Sequence, residues 1–355
     1  MRDFEIFSTM ASTSQQDKST NKAGRKTGHD VVRALGLTSG GLDSILSALI
    51  LQDQGLQVAW INFETPFFSS DRARRAARMT GIPLTVKNIT NVYVEMLKNP
   101  HCGYGGNMNP CLDCHALMLQ IAGSIMKQEG FDLLFTGEVL GQRPMSQTKP
   151  SLRYVEKQSG FPGCILRPLS AKLLPPTIPE QQGLVDRERL LDISGRGRKE
   201  QIKLAEDFGI TDYPAPAGGC LLTDVGFSRR LRDLLDHQEN CQERDFELLK
   251  YGRHFRLDDN YKVIVGRTKQ DNKHILELSD PHQDIRLRMT DMAGPAVLIP
   301  SAAPGEIVYE AATLCAAYSK TEDGVPARVS VTGLPGSEIL TVQGGSPETY
   351  RENLI

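Results

Sequence analysis

Three cysteines carry the first chemical signal. Cys111 and Cys114 lie in Asn109-Pro110-Cys111-Leu112-Asp113-Cys114, where a helical pattern begins, and Cys220 follows 106 positions after Cys114 in Pro214-Ala215-Pro216-Ala217-Gly218-Gly219-Cys220. A helix N-terminus lowers a thiol's pKa and so favours the thiolate, the form that attacks electrophiles and binds metals. The glycine pair before Cys220 lets backbone come close. A single CxxC lacks the second ligand pair of a closed zinc site, although His101, Cys102 and His115 stand near enough in sequence to supply it. Structural zinc, a redox or sulfur-relay set, and an iron–sulfur cluster on Cys111, Cys114 and Cys220 are the three readings of these thiols.

A second signal is the string Thr38-Ser39-Gly40-Gly41-Leu42-Asp43-Ser44, which joins an apolar run to a helical pattern. Glycines there let the backbone approach a phosphate, and the free amides and dipole of a helix start favour negative charge. Ser39 and Ser44 add hydroxyl donors. The loop lacks the Gly-Lys-Ser/Thr ending of kinase and GTPase loops, so cleavage at the β–γ bond is not suggested. Glu138 and Asp113 are candidate general acid/base groups.

The elements that must position these residues can be read from periodicity. Val31–Leu37, Val58–Phe63, Leu84–Ile89 and Leu133–Phe135 are predicted to be buried strands, and Ser44–Gln52, Ser70–Thr80, Asp113–Glu129 and Arg198–Phe208 helices, three of them followed by Gly55, Gly81 or Gly130. Strands alternating with helices imply a doubly wound, mainly parallel α/β sheet, whose ligands bind where strands end at the topological switch point. Beyond about residue 240, Phe255–Leu257, Tyr261–Val265, His274–Leu278, Ile285–Met289 and Val297–Ile299 are predicted as short strands, with a turn at Asp258-Asp259-Asn260 and a helix over Gly305–Ala317. The expected organisation is a tail over 1–30, a catalytic domain over 31–237 and a smaller α+β domain over 238–345.

Composition bounds the function classes. With 355 residues, 39% hydrophobic and 24% charged, the chain has the balance of a globular protein, and no apolar run approaches the ~18 residues of a membrane-spanning helix. Residues 1–30, rich in Ser, Thr, Gln and Lys, lack the apolar block of a secretory signal, so a disordered tail and a cytoplasmic location are expected. Net charge of −2 neither supports nor excludes RNA, because phosphate contacts need only local clusters such as Arg72, Arg74, Arg75 and Arg78, or Arg196-Gly197-Arg198-Lys199, or Arg229-Arg230-Leu231-Arg232. Seven cysteines in a reducing compartment argue for metal or catalytic roles over disulfides, with Cys164, Cys241 and Cys315 expected as small buried hydrophobes. Tyr251, His254 and Phe255 could stack on bases, with core packing the commoner use of such residues.

Ser-Gly-Gly-Leu-Asp-Ser over 39–44 resembles the pyrophosphate loop of the ATP-pyrophosphatase (PP-loop) superfamily, whose members adenylate an oxygen so that nitrogen or sulfur can displace AMP. Asn109–Cys114 resembles the cysteine motif of the 2-thiouridylases. Thr136-Gly137-Glu138, Gly141-Gln142 and Ser146-Gln147 resemble the tRNA 4-thiouridine synthetase, and Tyr213–Leu221 resembles the segment bearing the second essential cysteine of these enzymes. The chain departs from the 4-thiouridine enzyme in lacking its N-terminal RNA-binding domain and its C-terminal rhodanese-like cysteine loop. From about residue 240, Gly252-Arg253-His254-Phe255, Val265-Gly266-Arg267 and Ala316-Ala317-Tyr318-Ser319 resemble the RNA-binding module of NFACT proteins.

The resemblance implies an adenine nucleotide α-hydrolase-like fold and ATP-dependent thiolation of a tRNA uridine. ATP would be held by Ser39, Gly40, Gly41, Leu42, Asp43 and Ser44 with Phe63, Gly137 and Gln142, and Mg2+ by Asp43. A [4Fe–4S] cluster would sit on Cys111, Cys114 and Cys220, which with Asp43 would be the catalytic residues. The implied partners are tRNA and a sulfide or persulfide donor, with a homodimer left open. The alternatives are a sulfur transferase or amidating ligase acting on a small molecule, and a zinc-stiffened ATP- or RNA-binding factor.

Overall fold

Apolar side chains alternate along the first strands with the period of two that a sheet buried on both faces requires. Ala34, Val58, Trp60, Leu133 and Phe135 face one apolar layer, and Leu35, Ile61, Phe63 and Leu134 face the other. The computed structural model describes residues 31–215, 220–334 and 336–355. In it these strands are β1 (Arg33–Leu37), β2 (Gln57–Glu64), β3 (Leu84–Asn88) and β4 (Leu133–Thr136), joined by the two-residue β5 (Ile165–Leu166) in a parallel sheet ordered β3-β2-β1-β4-β5. The predicted doubly wound α/β sheet is present. From central β1 the chain builds outward through β2 and β3, then returns to β4 on β1's other side. The loops after β1 and β4 therefore diverge, and they open the crevice where such sheets bind ligands.

Helices cover both faces. α1 (Leu42–Asp53), α2 (Asp71–Thr80) and a later helix, α7, pack on one layer, and α3 (Thr90–Lys98), α4 (Cys111–Glu129) and α5 (Lys149–Ser159) on the other. Ile45, Leu46 and Leu51 of α1 and Leu119 of α4 are almost wholly buried, each contributing roughly 1.5–3 kcal/mol. α2 and α4 end at left-handed Gly81 and Gly130, as predicted. α4 begins two residues before the predicted Asp113, so its first turn carries both Cys111 and Cys114. α6 (Ile178–Gln181) and α7 (Lys199–Asp207) precede α8 (Val225–His237) and α9 (Glu243–Leu248), whose Phe227, Leu231 and Phe246 complete the second layer.

The rest of the chain forms an antiparallel sheet ordered β11-β10-β8-β9-β7-β6. Its members are β6 (Arg253–Arg256), β7 (Lys262–Val265), β8 (Asp284–Met289), β9 (Val297–Pro300), β10 (Pro326–Leu334) and β11 (Gly336–Gln343). α11 (Gly305–Ala317) packs its Ala311, Leu314 and Cys315 on one face, as predicted for a smaller α+β domain. The expected turn at 258–260 is present, with Asp258 Oδ1 accepting from Asn260 N and Tyr261 N at 2.8 Å each.

His274–Leu278, predicted as a strand, lies instead in α10 (Lys269–Leu278). Its apolar run is too short to fix a period, and Thr268 caps the helix by accepting from Asp271 N at 3.0 Å. The fold also continues past the expected limit at 345: Tyr350 is buried in the second core and Leu354 bridges to Phe255. The expected tail over 1–30 and residues 216–219 lie outside the described residues. Asp233 of α8 joins the two sheets, accepting from Arg256 Nη2 at 2.7 Å and pairing with Lys262 at 3.5 Å.

Candidate functional site

The loop after β1 is clamped from below and open above. Thr38 Oγ1 accepts from Gly40 N at 3.0 Å, and Asn62 Nδ2 donates to Thr38 O at 2.6 Å. Gly40 has a φ of +69°, and a Cβ there would sit 2.2 Å from the Arg72 carbonyl carbon. A Cβ on Gly137, just after β4, would lie 2.5 Å from Ser44 N, so glycine lets the two switch-point loops touch. Gly41 caps α1 with no side-chain hydrogen bond, which leaves the helix's first amides as donors. Ser39 and Ser44 stand together at 3.4 Å between hydroxyls, and Leu42 is buried beneath them. Phe63 is 2% exposed and belongs to the core, so it could border a nucleotide only through its backbone.

Asp43 points into this crevice with half of its carboxylate unsatisfied. Gln142 Nε2 donates to Oδ2 at 3.1 Å, while Oδ1 is buried without a hydrogen bond and the wholly buried Gln201 beside it is likewise unbonded. Burial raises the Asp43 pKa above the usual carboxylate value, outweighing Gln142, Arg198, Gln201 and Arg143, which lower it. A carboxylate oxygen without a hydrogen bond beside the free amides of α1 has the chemistry to hold a hard cation such as Mg2+.

Across the crevice, α4 presents Cys111 with His115 one turn further along. Burial would push the Cys111 thiol up, but His115, Ser146 and Arg143 reverse this and hold it below the usual thiol value. His115 in turn contacts Glu138 at 3.1 Å between Nδ1 and Oε1. Burial would lower its pKa, yet the bonds to Cys111 and Glu138 raise it to about 10. Glu138 accepts on its other oxygen from Arg167 Nε at 2.9 Å and Thr136 Oγ1 at 3.1 Å. Against burial, Arg167 and His115 bring its pKa down to about 2. The result is a cysteine made more acidic by an imidazolium that is itself anchored on a fixed carboxylate.

A carboxylate so held, bonded to His115, Arg167 and Thr136, carries no proton to donate near neutrality, so of the expected acid and base roles only that of base remains open to Glu138. Asp113 is turned toward the preceding loop, where its Oδ2 accepts from Cys102 N at 2.8 Å.

Cys220 reaches this place through backbone pairing: Leu222 O accepts from Met108 N at 3.2 Å and Thr223 O from Asn107 Nδ2 at 2.7 Å. Cys111, Cys114 and Cys220 are free thiols close enough to act on one another electrostatically. Burial pushes Cys114 up to about 12 and also raises Cys220, so Cys111 is the most acidic thiol of the three.

Sequence reasoning marked parts of the loop over 141–147 and missed that it joins the two halves. Gly141 N donates to Gln147 O at 2.7 Å and Gln147 N to Arg143 O at 3.0 Å, closing a tight loop. Its Gln142 bonds Asp43, its Ser146 sits against Cys111, and its Arg143 acts on Asp43, Cys111 and Cys220 alike. Gln142 and Ser146 were visible in the motif. Arg143 stood between them unremarked.

Of the basic clusters, Arg75 is paired with Asp212 at 2.6 Å and Arg230 donates to Leu249 O at 2.8 Å, whereas Arg198 faces Asp43. His254 and Phe255 are wholly buried and Tyr251 stacks on His274 at 4.5 Å, which is core and local packing. Cys315 is buried as expected, and Cys164 and Cys241 are half-buried against the first core.

Residues 30–172 match the family described as Thiamine biosynthesis protein (ThiI), and residues 252–353 the family described as NFACT protein RNA binding domain. The chain is similar to a probable tRNA sulfurtransferase of Anoxybacillus flavithermus, 31% identical over 142 residues covering 39% of this chain and 35% of that protein. It is similar to another of Finegoldia magna, 32% identical over 148 residues covering 39% and 36%. The chain thus spans about a third of the length of these relatives. A solved structure described as a 4-thiouridine synthetase–RNA complex with bound ATP shares 21% identity over 50% of this chain and 52% of that one, with a TM-score of 0.33. Residues 30–172 are thus similar to the ThiI family and residues 252–353 to the NFACT RNA-binding family.

Proposed function

We propose that this protein uses ATP to thiolate a uridine of transfer RNA. The observation that carries the reading is the loop over 141–147, which meets the candidate phosphate site through Gln142 and the thiols through Ser146 and Arg143. The amides at the start of α1 would hold the pyrophosphate, with Asp43 as the ligand of Mg2+. Adenylation of the uridine carbonyl oxygen releases pyrophosphate, and attack by sulfur on the same carbon then releases AMP. Arg143, facing both centres, would offset anionic charge in each step. The similarity to probable tRNA sulfurtransferases supports the substrate, and the NFACT-family domain supports RNA docking.

Cys111, Cys114 and Cys220, three free thiols that interact electrostatically, fit the corners of a [4Fe–4S] cluster. Bound there, it would supply an iron with an open position for hydrosulfide. The Cys111–His115 pair favours a second reading, a persulfide relay. In it the Cys111 thiolate takes sulfane sulfur from a donor persulfide, whose remaining sulfur leaves as a thiol. The terminal sulfur attacks the adenylated carbon, AMP leaves, and Cys114 or Cys220 then displaces thiouridine to form a disulfide that an external thiol reduces.

The test is incubation of oxygen-free protein with ATP, sulfide or a persulfide donor, and unmodified tRNA, followed by nucleoside mass spectrometry and assay of AMP. Thiouridine and AMP in step support the proposal. ADP as the product, or AMP formed without thiolated nucleoside, would overturn it. Iron content and visible absorption of the Cys111→Ala, Cys114→Ala and Cys220→Ala variants then separate cluster from relay.

A further inference from the structure

We propose that His101, Cys102 and Asp113 form a second metal site, separate from the three thiols, for a single divalent ion of the zinc class. Among the described residues, these three offer ligand atoms that all lie within 4.8 Å of one another. Ligands on one tetrahedral zinc stand about 3.3–3.8 Å apart, given bonds of about 2.0–2.3 Å. His101 and Cys102 are exposed, so side-chain rotation from solvent closes that difference, whereas Asp113 is 7% exposed and held in place.

The donor set selects the ion. One imidazole nitrogen, one thiolate and one carboxylate oxygen suit zinc and its neighbours, whereas Mg2+ and Ca2+ take oxygen alone. The surrounding groups are already arranged. Tyr154 Oη lies 3.0 Å from His101 Nδ1 and also hydrogen-bonds Cys102 and Asp113, so it stands beside all three ligand groups and steadies them. Asp113 Oδ2 accepts from Cys102 N, which brings the thiol's own backbone to the carboxylate. A turn with Gly103 N donating to Pro100 O at 3.0 Å presents His101 and Cys102 side by side.

Three protein ligands leave a fourth position toward solvent, the pattern of an exchangeable rather than a closed site. Asp113 lies between Cys111 and Cys114 in the first turn of α4. An ion held there would lash the loop after α3 to the helix start that carries those thiols, and fix their placement.

The experiment uses full-length, metal-free protein in a Cys111→Ser, Cys114→Ser, Cys220→Ser background, with Co2+ as the probe and Zn2+ as competitor. One equivalent of Co2+ with thiolate-to-cobalt absorption, displaced by Zn2+, is expected. Cys102→Ser should abolish that absorption, and Tyr154→Phe should weaken binding by about tenfold. Absence of stoichiometric binding, or binding indifferent to His101→Ala, Cys102→Ser and Asp113→Asn, would overturn the proposal. If the triple background does not fold, zinc content of the otherwise unaltered chain decides: His101→Ala and Cys102→Ser should each lose one equivalent, and unchanged content refutes the site. Neither result depends on thiolation activity.

Discussion

Glu138 holds His115 at 3.1 Å, and His115 in turn lowers the pKa of Cys111, a residue that the carboxylate does not itself touch. The carboxylate lies in the loop just after β4 and the histidine in α4, so the pair also fixes how the helix presents Cys111 to the crevice.

Glu138→Gln should therefore weaken the imidazolium and raise the Cys111 pKa. Rates of alkylation at Cys111, followed by mass spectrometry across pH in metal-free protein, measure this directly. An unshifted profile would show that Glu138 does not govern the thiolate.

The same pair predicts a stability window. Glu138, held near 2 instead of its ordinary 4.5, contributes stability that is complete above pH 4.5 and is lost as pH falls through about 2. His115, raised from 6.5 to about 10, contributes stability that is complete below pH 6.5 and is lost as pH rises through about 10. Melting temperature should accordingly be flattest between pH 4.5 and 6.5, and Glu138→Gln should make the acid limb shallower.

Two neighbouring glycines should respond differently. Gly40→Ala forces a side chain into left-handed backbone, costing about 1–2 kcal/mol, and drives a Cβ against Arg72, so both melting temperature and ATP turnover should fall. At Gly41 an added Cβ meets nothing nearer than Ser39 Oγ at 3.5 Å. Gly41→Ala should keep the wild-type melting temperature, and a loss of AMP formation in that variant would report crowding of the bound nucleotide.

Asp43→Asn should separate stability from activity. The carboxylate is disfavoured by burial, its pKa being raised, so its removal should leave the melting temperature unchanged or higher. AMP formation should drop by at least about 100-fold, with Mg2+ titration of the residual rate showing a lost dependence. A variant that melts lower and retains full activity would refute Asp43 as the cation ligand.

The phosphate loop was legible because its signal is local: glycines and hydroxyls between an apolar run and a helical pattern need no distant partner to be recognised. β1, β2 and β4 were legible for a similar reason, since each carries an apolar run, whereas β3, expected to be buried, is an edge strand whose Thr85, Lys87 and Asn88 are exposed. β10 and β11 escaped notice, β11 being an edge strand whose Ile339 is 52% exposed, which dilutes the alternation. The spacing of Cys111 and His115 is that of one helical turn and could have been read. Glu138 was singled out, but its hold on His115 was not, and Arg167 and Arg143 were not readable, because these meanings come from contacts made 11 to 29 positions away or across the crevice.

One rod connects the three thiols to the second sheet. α8 starts five residues after Cys220 and carries Asp233, which grips Arg256 and Lys262 of the second sheet. At a rise of about 1.5 Å per residue, its 13 residues make a stiff strut of about 20 Å. Whatever the second sheet holds is thereby presented to the thiols at a set reach, as on a gauge. Substrates would be sorted by the length between the feature that is gripped and the base that reacts.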